Sequence, residues 1–212
     1  MQAGNCLRTH LCAIATPRAT KSAKSPIKNG IHEMKKLLKA ANFAAVKHES
    51  QRRKNASASP YINHPIEVAE YLSHAGGVSD EDILIAALLH DTIEDTNTAP
   101  NEIAEHFGER VLELVRECTD DKSLEKSERK RLQIVTASKK SDGAKQIKLA
   151  DKACNLRSIL DEPPVGWSLE RQLEYFSWAN EVCQGLYGIN SELDSDCKQI
   201  IAAGIQQLND AC

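Results

Sequence analysis

The most distinctive pattern in the chain is a run of apolar residues that leads directly into acidic and imidazole side chains. Seven apolar residues occupy positions 83–89. Four polar residues follow closely: His90, Asp91, Glu94 and Asp95. On an α-helix with about 100° per residue, these four side chains fall within an arc of roughly 140°. The pattern predicts one continuous helix that is buried along most of its length and has one polar edge.

Apolar residues at helical spacing mark most of the remaining chain. The segments are residues 34–48, 65–72, 98–115, 146–160, a stretch that follows Ser168, and 191–208. In the first segment the expected buried stripe is Leu37, Leu38, Ala41, Ala44 and Ala45. No strand pattern or internal repeat stands out, and only 4% of the residues are aromatic. We therefore predict an all-α fold, with residues 34–212 forming a single compact helical bundle.

Local signals indicate where several helices begin or break. Pro65 suits the first position of a helix, which places His64 just before that helix. Ser79 and Asp82 have the spacing of a helix cap and are expected to start the central helix. Gly108 is expected to divide the helix of residues 98–115.

Charge and cysteine content exclude several classes of protein. A net charge of −3 gives no general attraction for nucleic acid or anionic membranes. No apolar run approaches the roughly 18 residues that a membrane span needs. The seven cysteines are scattered without a CxxC pair, which favours free thiols in a reducing compartment. We expect a soluble intracellular protein without nucleic-acid or membrane partners. No feature of the sequence specifies an oligomeric state.

The first 33 residues differ in composition from the rest of the chain. Residues 1–32 contain no Asp or Glu, but they carry five Lys and Arg residues among Ser, Thr and Ala. The apolar piece at 11–15 is shorter than the roughly 7–15 residues of a secretory h-region. We expect residues 1–33 to be a disordered or spurious extension, with an organelle transit peptide as the alternative. The expected location is the cytoplasm, unless this leader directs the chain to an organelle.

Four residues from three separate segments are candidate metal ligands. They are His64, His90, Asp91 and Asp151. Each of them alone is more often a capping or hydrogen-bonded structural residue. Together, two imidazole nitrogens and two carboxylate oxygens suit a divalent ion such as Mn²⁺, Fe²⁺, Co²⁺ or Zn²⁺. A metal ion with the carboxylates of Glu94 and Asp95 beside it is an arrangement that activates water.

Four longer strings are more specific than these single residues. They are RRKNASASPYINHP, AALLHDTIEDT, TDDKSLEKSERKRLQ and KLADKACNLRSI. They resemble the hydrolase domain of the RelA/SpoT family, and in particular its small stand-alone metazoan members, over about residues 34–205. The resemblance implies a helical HD domain that binds one Mn²⁺ ion. The implied activity is hydrolysis of the 3′-diphosphate of guanosine 3′,5′-bis(diphosphate), or ppGpp, to pyrophosphate and GDP, which ends a stringent-response signal.

The resemblance also implies a role for each matching residue. The implied metal ligands are His64, His90, Asp91 and Asp151. The implied catalytic pair is Glu94 and Asp95, with Glu94 favoured as the base. The implied contacts to the nucleotide are Arg53, Lys54, Asn155 and Tyr175. Lys126 and Arg131 are candidates for contacts to the distal phosphates. Ala153 and Cys154 differ from the family pattern, and we expect them to change packing only.

Two alternatives to the implied activity stay open. The same metal site is compatible with removal of the 2′-phosphate of NADPH, which would release orthophosphate. A non-catalytic regulator that binds the nucleotide is the other alternative. The presence of both Glu94 and Asp95 argues against the regulator, because a pure binding protein does not need a water-activating pair. Family members specialised in synthesis lack the His-Asp and Glu-Asp pairs, which are both present here, so hydrolysis is expected. Bifunctional members carry a synthetase domain behind the hydrolase, and the residues after Asp161 leave no room for one, so synthesis is not expected.

Overall fold

The computed structural model describes the backbone of residues 26–211 and the side chains from residue 33 onward. This part of the chain forms ten helices and contains no strand, which confirms the all-α prediction. The helices are α1 (Pro26–Lys47), α2 (Asn63–His74), α3 (Glu81–Leu89), α4 (Thr92–Asp95), α5 (Pro100–Phe107), α6 (Glu109–Cys118), α7 (Lys126–Ala137), α8 (Asp142–Asp161), α9 (Leu169–Gln184) and α10 (Ser191–Asp210). None of the described helices is both long and apolar enough to cross a membrane.

Helix α8 lies at the centre of the bundle, where it contacts α2, α3, α6, α9 and α10. Its buried residues include apolar side chains such as Ile147 and Leu156, but also Lys148, Asp151 and Lys152. Burial of charged groups is unfavourable unless they are paired or bind a metal. The middle of α8 is therefore the first place in the fold where a functional site is expected.

Helix α3 explains the apolar run of the sequence, since it is enclosed by α1, α2, α6 and α8. The polar residues after it do not continue the same helix, which corrects the prediction of one continuous element. The helix is interrupted at His90 and Asp91, between α3 and α4. Side chains replace helical hydrogen bonds at this break: His90 Nδ1 donates to the Ala87 carbonyl at 2.7 Å, and the Thr92 hydroxyl donates to the Leu89 carbonyl at 2.6 Å.

Two predicted helix starts were also wrong. Helix α2 begins at Asn63, so His64 lies within its first turn rather than before it. Because the first four N–H groups of a helix have no partner within the helix, Pro65 is tolerated there without loss of a hydrogen bond. Helix α3 is capped by Asp80 rather than by Ser79, since the Asp80 carboxylate accepts the Asp82 N–H at 3.0 Å.

Helix α1 differs from the prediction in its start and in its buried side. It begins at Pro26 instead of at residue 34. Leu38 is 65% exposed, whereas Ala40 and Ala44 are fully buried. Small side chains allow α1 to approach α3 closely, and the buried stripe follows these alanines rather than Leu38. The predicted leader falls mainly on residues 1–25, which lie outside the described residues.

The division of α5 from α6 at Gly108 is confirmed, and this glycine has a positive φ of 95°. Another glycine allows a close helix contact: a Cβ atom on Gly204 of α10 would overlap the Phe176 ring of α9. Four cysteines in the described part of the chain are buried free thiols, in agreement with the expectation of unpaired cysteines: Cys118, Cys154, Cys183 and Cys197. Cys6, Cys12 and Cys212 are not among the described residues.

Candidate metal centre and adjoining cavities

The structure brings the four predicted metal ligands together around one point. His64 Nε2 lies 3.2 Å from Asp151 Oδ1, and His90 Nε2 lies 3.1 Å from Asp91 Oδ2. The two cross distances, from His64 to Asp91 and from His90 to Asp151, are each 3.9 Å. The donor atoms of His64, His90 and Asp151 lie within 4.8 Å of one another. Donor atoms at such spacing can share one divalent ion.

The buried imidazole of His90 supports the assignment of a metal site. Its Nδ1–H donates to the Ala87 carbonyl, so in the neutral imidazole the lone pair is on Nε2. The Nε2 atom is buried without a hydrogen-bond partner, because its contact with Asp91 has the distance of an ion pair but not the geometry of a hydrogen bond. Buried polar atoms without a partner are rare in folded proteins. A metal ion between the four side chains satisfies this atom, so the residues fit a metal.

The ligand carboxylates and imidazoles perturb each other's protonation. Burial lowers the pKa of His90, but the contact with Asp91, the charges of Asp91 and Asp151 and the Ala87 carbonyl together outweigh this effect and raise the pKa to about 9. Burial likewise opposes ionisation of Asp91, yet the contact with His90 and the charges of His90 and His64 together hold the pKa of this carboxyl well below its usual range. Ionised carboxylates are the form that binds a metal ion, and a proton on His90 competes with it.

Three further side chains orient the carboxylates of the candidate ligands Asp91 and Asp151. The Tyr61 hydroxyl donates to Asp91 Oδ2 at 2.6 Å. Asn155 Nδ2 donates to Asp151 Oδ1 at 2.6 Å, and Lys152 Nζ donates to Asp151 Oδ2 at 2.9 Å. Such outer contacts fix the direction of a ligand oxygen and raise metal affinity. The charge of Lys152 also helps hold the pKa of Asp151 far below its usual range, against the effect of burial.

The acidic pair Glu94 and Asp95 lies beside the metal centre on α4. Glu94 accepts the Asp120 N–H at 2.9 Å. Burial raises the pKa of Glu94 above its ordinary value, and the charges of Asp120 and Asp91 act in the same direction. Asp95 accepts from Gln51 Nε2 at 3.0 Å and also pairs with the Lys122 ammonium group. The two carboxylates are thus held by different partners in different surroundings.

Two cavities adjoin the metal centre. The first has a volume of about 490 Å³, and the second has a volume of about 430 Å³. Six residues line both cavities: Lys54, Tyr61, His64, Asp95, Asn155 and Tyr175. The cavities therefore meet beside the metal centre, and a ligand that occupies both would pass across it.

Most of the candidate site residues predicted from the sequence line one or both cavities. Arg53 lines the first cavity, and Asp91, Glu94, Lys126 and Asp151 line the second. Lys54, Asp95, Asn155 and Tyr175 line both, together with His64. His90 lies behind this surface, with 1% of its area exposed. Arg131 lines neither cavity and instead pairs with Glu128 at 2.7 Å, whereas the neighbouring Arg129 and Lys130 line the second cavity.

Several residues of the site were missed by the sequence analysis. They are Gln51, Tyr61, Lys122, Arg129, Lys148 and Lys152. Two of them could have been found from the sequence by their position. Lys152 directly follows the candidate ligand Asp151, and Tyr61 precedes the candidate ligand His64 by three positions. The contacts of Gln51 and Lys122 span 44 and 27 residues and have no local signature.

Comparison with known proteins agrees with this geometry. The family model described as HD domain matches residues 40–174. A Xenopus tropicalis protein named guanosine-3′,5′-bis(diphosphate) 3′-pyrophosphohydrolase MESH1 is 57% identical over 158 residues, which cover 74% of this chain and 88% of the relative. The human protein of the same name is 53% identical over 168 residues, which cover 79% and 94% of the two chains.

A solved structure supports the same relationship. It belongs to a metazoan orthologue of SpoT that hydrolyses ppGpp, and it matches this fold with a TM-score of 0.77 and 44% sequence identity. The match covers 87% of this chain and 98% of the orthologue. The helical fold and the His-Asp centre define the class as HD-domain proteins. The chain belongs to the HD-domain family and, within it, to the group of MESH1 proteins. The resemblance predicted from the sequence is thereby confirmed.

Proposed function

We propose that this chain hydrolyses the 3′-diphosphate of guanosine 3′,5′-bis(diphosphate), releasing pyrophosphate and leaving GDP, with one bound Mn²⁺ ion. Its relatives are named for this activity. The observation that carries the proposal is the position of the metal centre at the junction of two cavities. One cavity is suited to a nucleoside and the other to phosphate groups. A nucleotide that spans both would place its ribose phosphate near the centre.

The second cavity has an excess of cationic over acidic side chains, which suits diphosphate groups; its five carboxylates are Asp91, Glu94, Asp95, Asp120 and Asp151. Seven of its lining residues are Lys or Arg: Lys54, Lys122, Lys126, Arg129, Lys130, Lys148 and Lys152. Charge-assisted hydrogen bonds to phosphate oxygens are stronger than neutral ones. We assign Lys126 to the distal phosphates together with Arg129 and Lys130, and we leave Arg131 out of the site because it lines neither cavity.

The first cavity has the character of a nucleoside site. Tyr61, Trp167 and Tyr175 line it and offer aromatic faces and edges to a base or ribose. The Arg53 guanidinium lies 5.9 Å from the centre of the Tyr61 ring and bonds Asn155 Oδ1 at 3.3 Å. These contacts support roles for Arg53, Asn155 and Tyr175 in holding the nucleotide, and Lys54 reaches both cavities.

The proposed metal ligands are His64, His90, Asp91 and Asp151. Mixed imidazole and carboxylate ligands are compatible with Mn²⁺. When bound, the ion would act as a Lewis acid that lowers the pKa of water and polarises a phosphate oxygen. Tyr61, Asn155 and Lys152 would keep the ligand carboxylates oriented through the hydrogen bonds described above.

Glu94 is the proposed general base, and Asp95 is proposed to orient the attacking water. A raised pKa makes Glu94 a better proton acceptor than an ordinary carboxylate. Gln51 and Lys122 fix Asp95 in place, which suits an orienting role. In the proposed reaction a water oxygen bonds to the phosphorus attached to O3′, and the bond from that phosphorus to O3′ breaks. Glu94 takes the water proton and later releases it to solvent, while O3′ takes a proton from solvent.

Hydrolysis in ¹⁸O-labelled water tests this assignment. We expect one solvent oxygen in the released pyrophosphate and none in GDP, because water attacks the phosphorus next to O3′. Glu94→Gln should lower kcat by about 10²–10⁴-fold. Glu128→Gln is the matched control, since Glu128 is an exposed glutamate that lines neither cavity. Orthophosphate release from NADPH without pyrophosphate release from guanosine 3′,5′-bis(diphosphate) would favour the 2′-phosphatase alternative. Binding of both nucleotides without turnover would favour the regulator.

A further inference from the structure

The loop that carries Arg53 and Lys54 is held in an unusual conformation. This loop, residues 52–60, is named the basic loop here. An isolated bridge between Arg52 and Pro60 closes its base. Ala58 has a φ of +47°, a region that is disfavoured for residues with a Cβ atom. Such a backbone conformation persists only where the surroundings hold it.

Glu162, which follows the last residue of α8, supplies these surroundings. Its Oε2 atom accepts from Asn55 Nδ2 at 2.7 Å and from the Ser57 hydroxyl at 3.1 Å. Its Oε1 atom accepts the Ser57 N–H at 2.8 Å. Hydrogen bonds to an ionised acceptor are the stronger kind. One carboxylate therefore joins the basic loop to the end of the helix that contains Asp151.

A second contact joins the same two parts of the chain at the other side of the loop. The Val165 N–H donates to the Lys54 carbonyl at 2.8 Å. Lys54 lines both cavities, and Arg53 lines the first. The placement of these two cationic side chains relative to the metal centre thus depends on how the loop sits against the segment after α8.

We propose that Glu162 is a positioning residue for substrate binding, which acts by holding the basic loop so that Arg53 and Lys54 face the cavities. This inference rests on the proposed function, since it concerns the affinity for an anionic nucleotide. Glu162 has no part in the hydrolytic step. If the loop is in its binding conformation for only a fraction of the time, the apparent affinity of the protein for its substrate is reduced to that fraction of the intrinsic affinity.

Electrostatics alone makes the opposite prediction. Glu162 and the neighbouring Asp161 both line the first cavity. Removal of either negative charge should strengthen binding of an anionic substrate if the carboxylate acts only through its charge. A positioning role predicts that removal of Glu162 weakens binding instead. Asp161→Asn is the matched control, because Asp161 is an exposed carboxylate in the same cavity and no hydrogen bond from it to the basic loop is seen among the described residues.

The test compares Glu162→Ala, Glu162→Gln and Asp161→Asn with the unchanged protein. For Glu162→Ala we expect KM for guanosine 3′,5′-bis(diphosphate) to rise about three- to tenfold with kcat within twofold, since the loop is less populated in its binding form. Glu162→Gln keeps one acceptor oxygen and should show a smaller rise. Asp161→Asn should leave KM equal or lower. A KM that is unchanged or lower in Glu162→Ala would overturn the proposal.

A second readout does not depend on turnover. Hydrogen–deuterium exchange of the full chain without nucleotide should be faster in peptides of residues 53–60 of Glu162→Ala, while peptides of α8 and α10 exchange as before. Unchanged exchange in the basic loop would overturn the positioning role even if the enzyme is active. If exchange is faster in Glu162→Ala but the unchanged protein hydrolyses no nucleotide, the proposed function is refuted, while the role of Glu162 in holding the loop still stands.

Discussion

His64 Nε2 lies 3.2 Å from Asp151 Oδ1, although 87 residues separate the two in the chain. Helix α2 supplies the first residue and the centre of α8 supplies the second, and these helices pack directly on each other. The metal centre therefore depends on the packing of the core.

The hydroxyl of Tyr61 should contribute to metal affinity. It donates to Asp91 Oδ2 at 2.6 Å, and burial together with the Asp91 charge raises the pKa of Tyr61, so the hydroxyl keeps its proton. Tyr61→Phe should weaken Mn²⁺ binding by about tenfold, as measured by titration calorimetry. Tyr71→Phe is the control, because Tyr71 also donates to a carboxylate at 2.6 Å, but its partner is Asp196 of α10, which is not one of the candidate ligands. Equal affinities in both variants would contradict the orienting role.

Metal binding should release a proton from His90. Burial lowers the pKa of His90, but the contact with Asp91 and the charges of Asp91 and Asp151 together raise it to about 9, so we expect a protonated imidazole at neutral pH when no ion is bound. The metal binds the neutral imidazole, and its apparent affinity should rise about tenfold per pH unit between pH 7 and 8. Calorimetry in buffers with different ionisation enthalpies should report about one proton released per ion. An affinity that does not change over this range would show that His90 is already neutral.

Asp120 should influence the pH dependence of hydrolysis through Glu94. Burial raises the pKa of Glu94 most, and the Asp120 charge adds to this rise, while the Asp120 N–H bond opposes it. A base must be deprotonated to act, so activity falls as the pH drops through this pKa. Asp120→Asn keeps the backbone N–H and removes the charge, and it should move the acid limb of the kcat profile to lower pH. Asp121→Asn is the control, because Asp121 is an exposed neighbour that bonds Ser123, and this change should not shift the acid limb of the kcat profile. A limb that moves to higher pH in Asp120→Asn would contradict the role of Glu94.

The contact of Gly204 with Phe176 should limit substitution in α10. Two effects of Gly204→Ala oppose each other. Helix propensity favours alanine by about 1 kcal/mol, whereas a Cβ atom at this position overlaps the Phe176 ring in the core. Overpacking of this kind costs about 1–3 kcal/mol, so we expect a net decrease in the free energy of unfolding. Urea denaturation measures the difference. An increase in stability would mean that α9 and α10 separate easily.

The sequence predicted the parts of this site that local spacing determines. Asp151 and Asn155 lie four positions apart in the helical segment predicted at residues 146–160, and their side chains are hydrogen-bonded at 2.6 Å. The break at His90 was missed, because helical periodicity does not register side chains that cap carbonyl groups. The contacts of Gln51 and Glu162 were missed for another reason: they join segments that are 44 and about 105 residues apart. Their partners are set by the packing of the whole bundle.

We propose above that His64, His90, Asp91 and Asp151 bind the ion that hydrolysis requires. The most direct test is a titration of metal-free protein with Mn²⁺, in which bound ion and pyrophosphate release from guanosine 3′,5′-bis(diphosphate) are measured on the same samples. We predict that both rise together and level off at one ion per chain, and that Asp91→Ala abolishes both. Pyrophosphate release that is independent of bound Mn²⁺, or that persists in Asp91→Ala, would contradict the account.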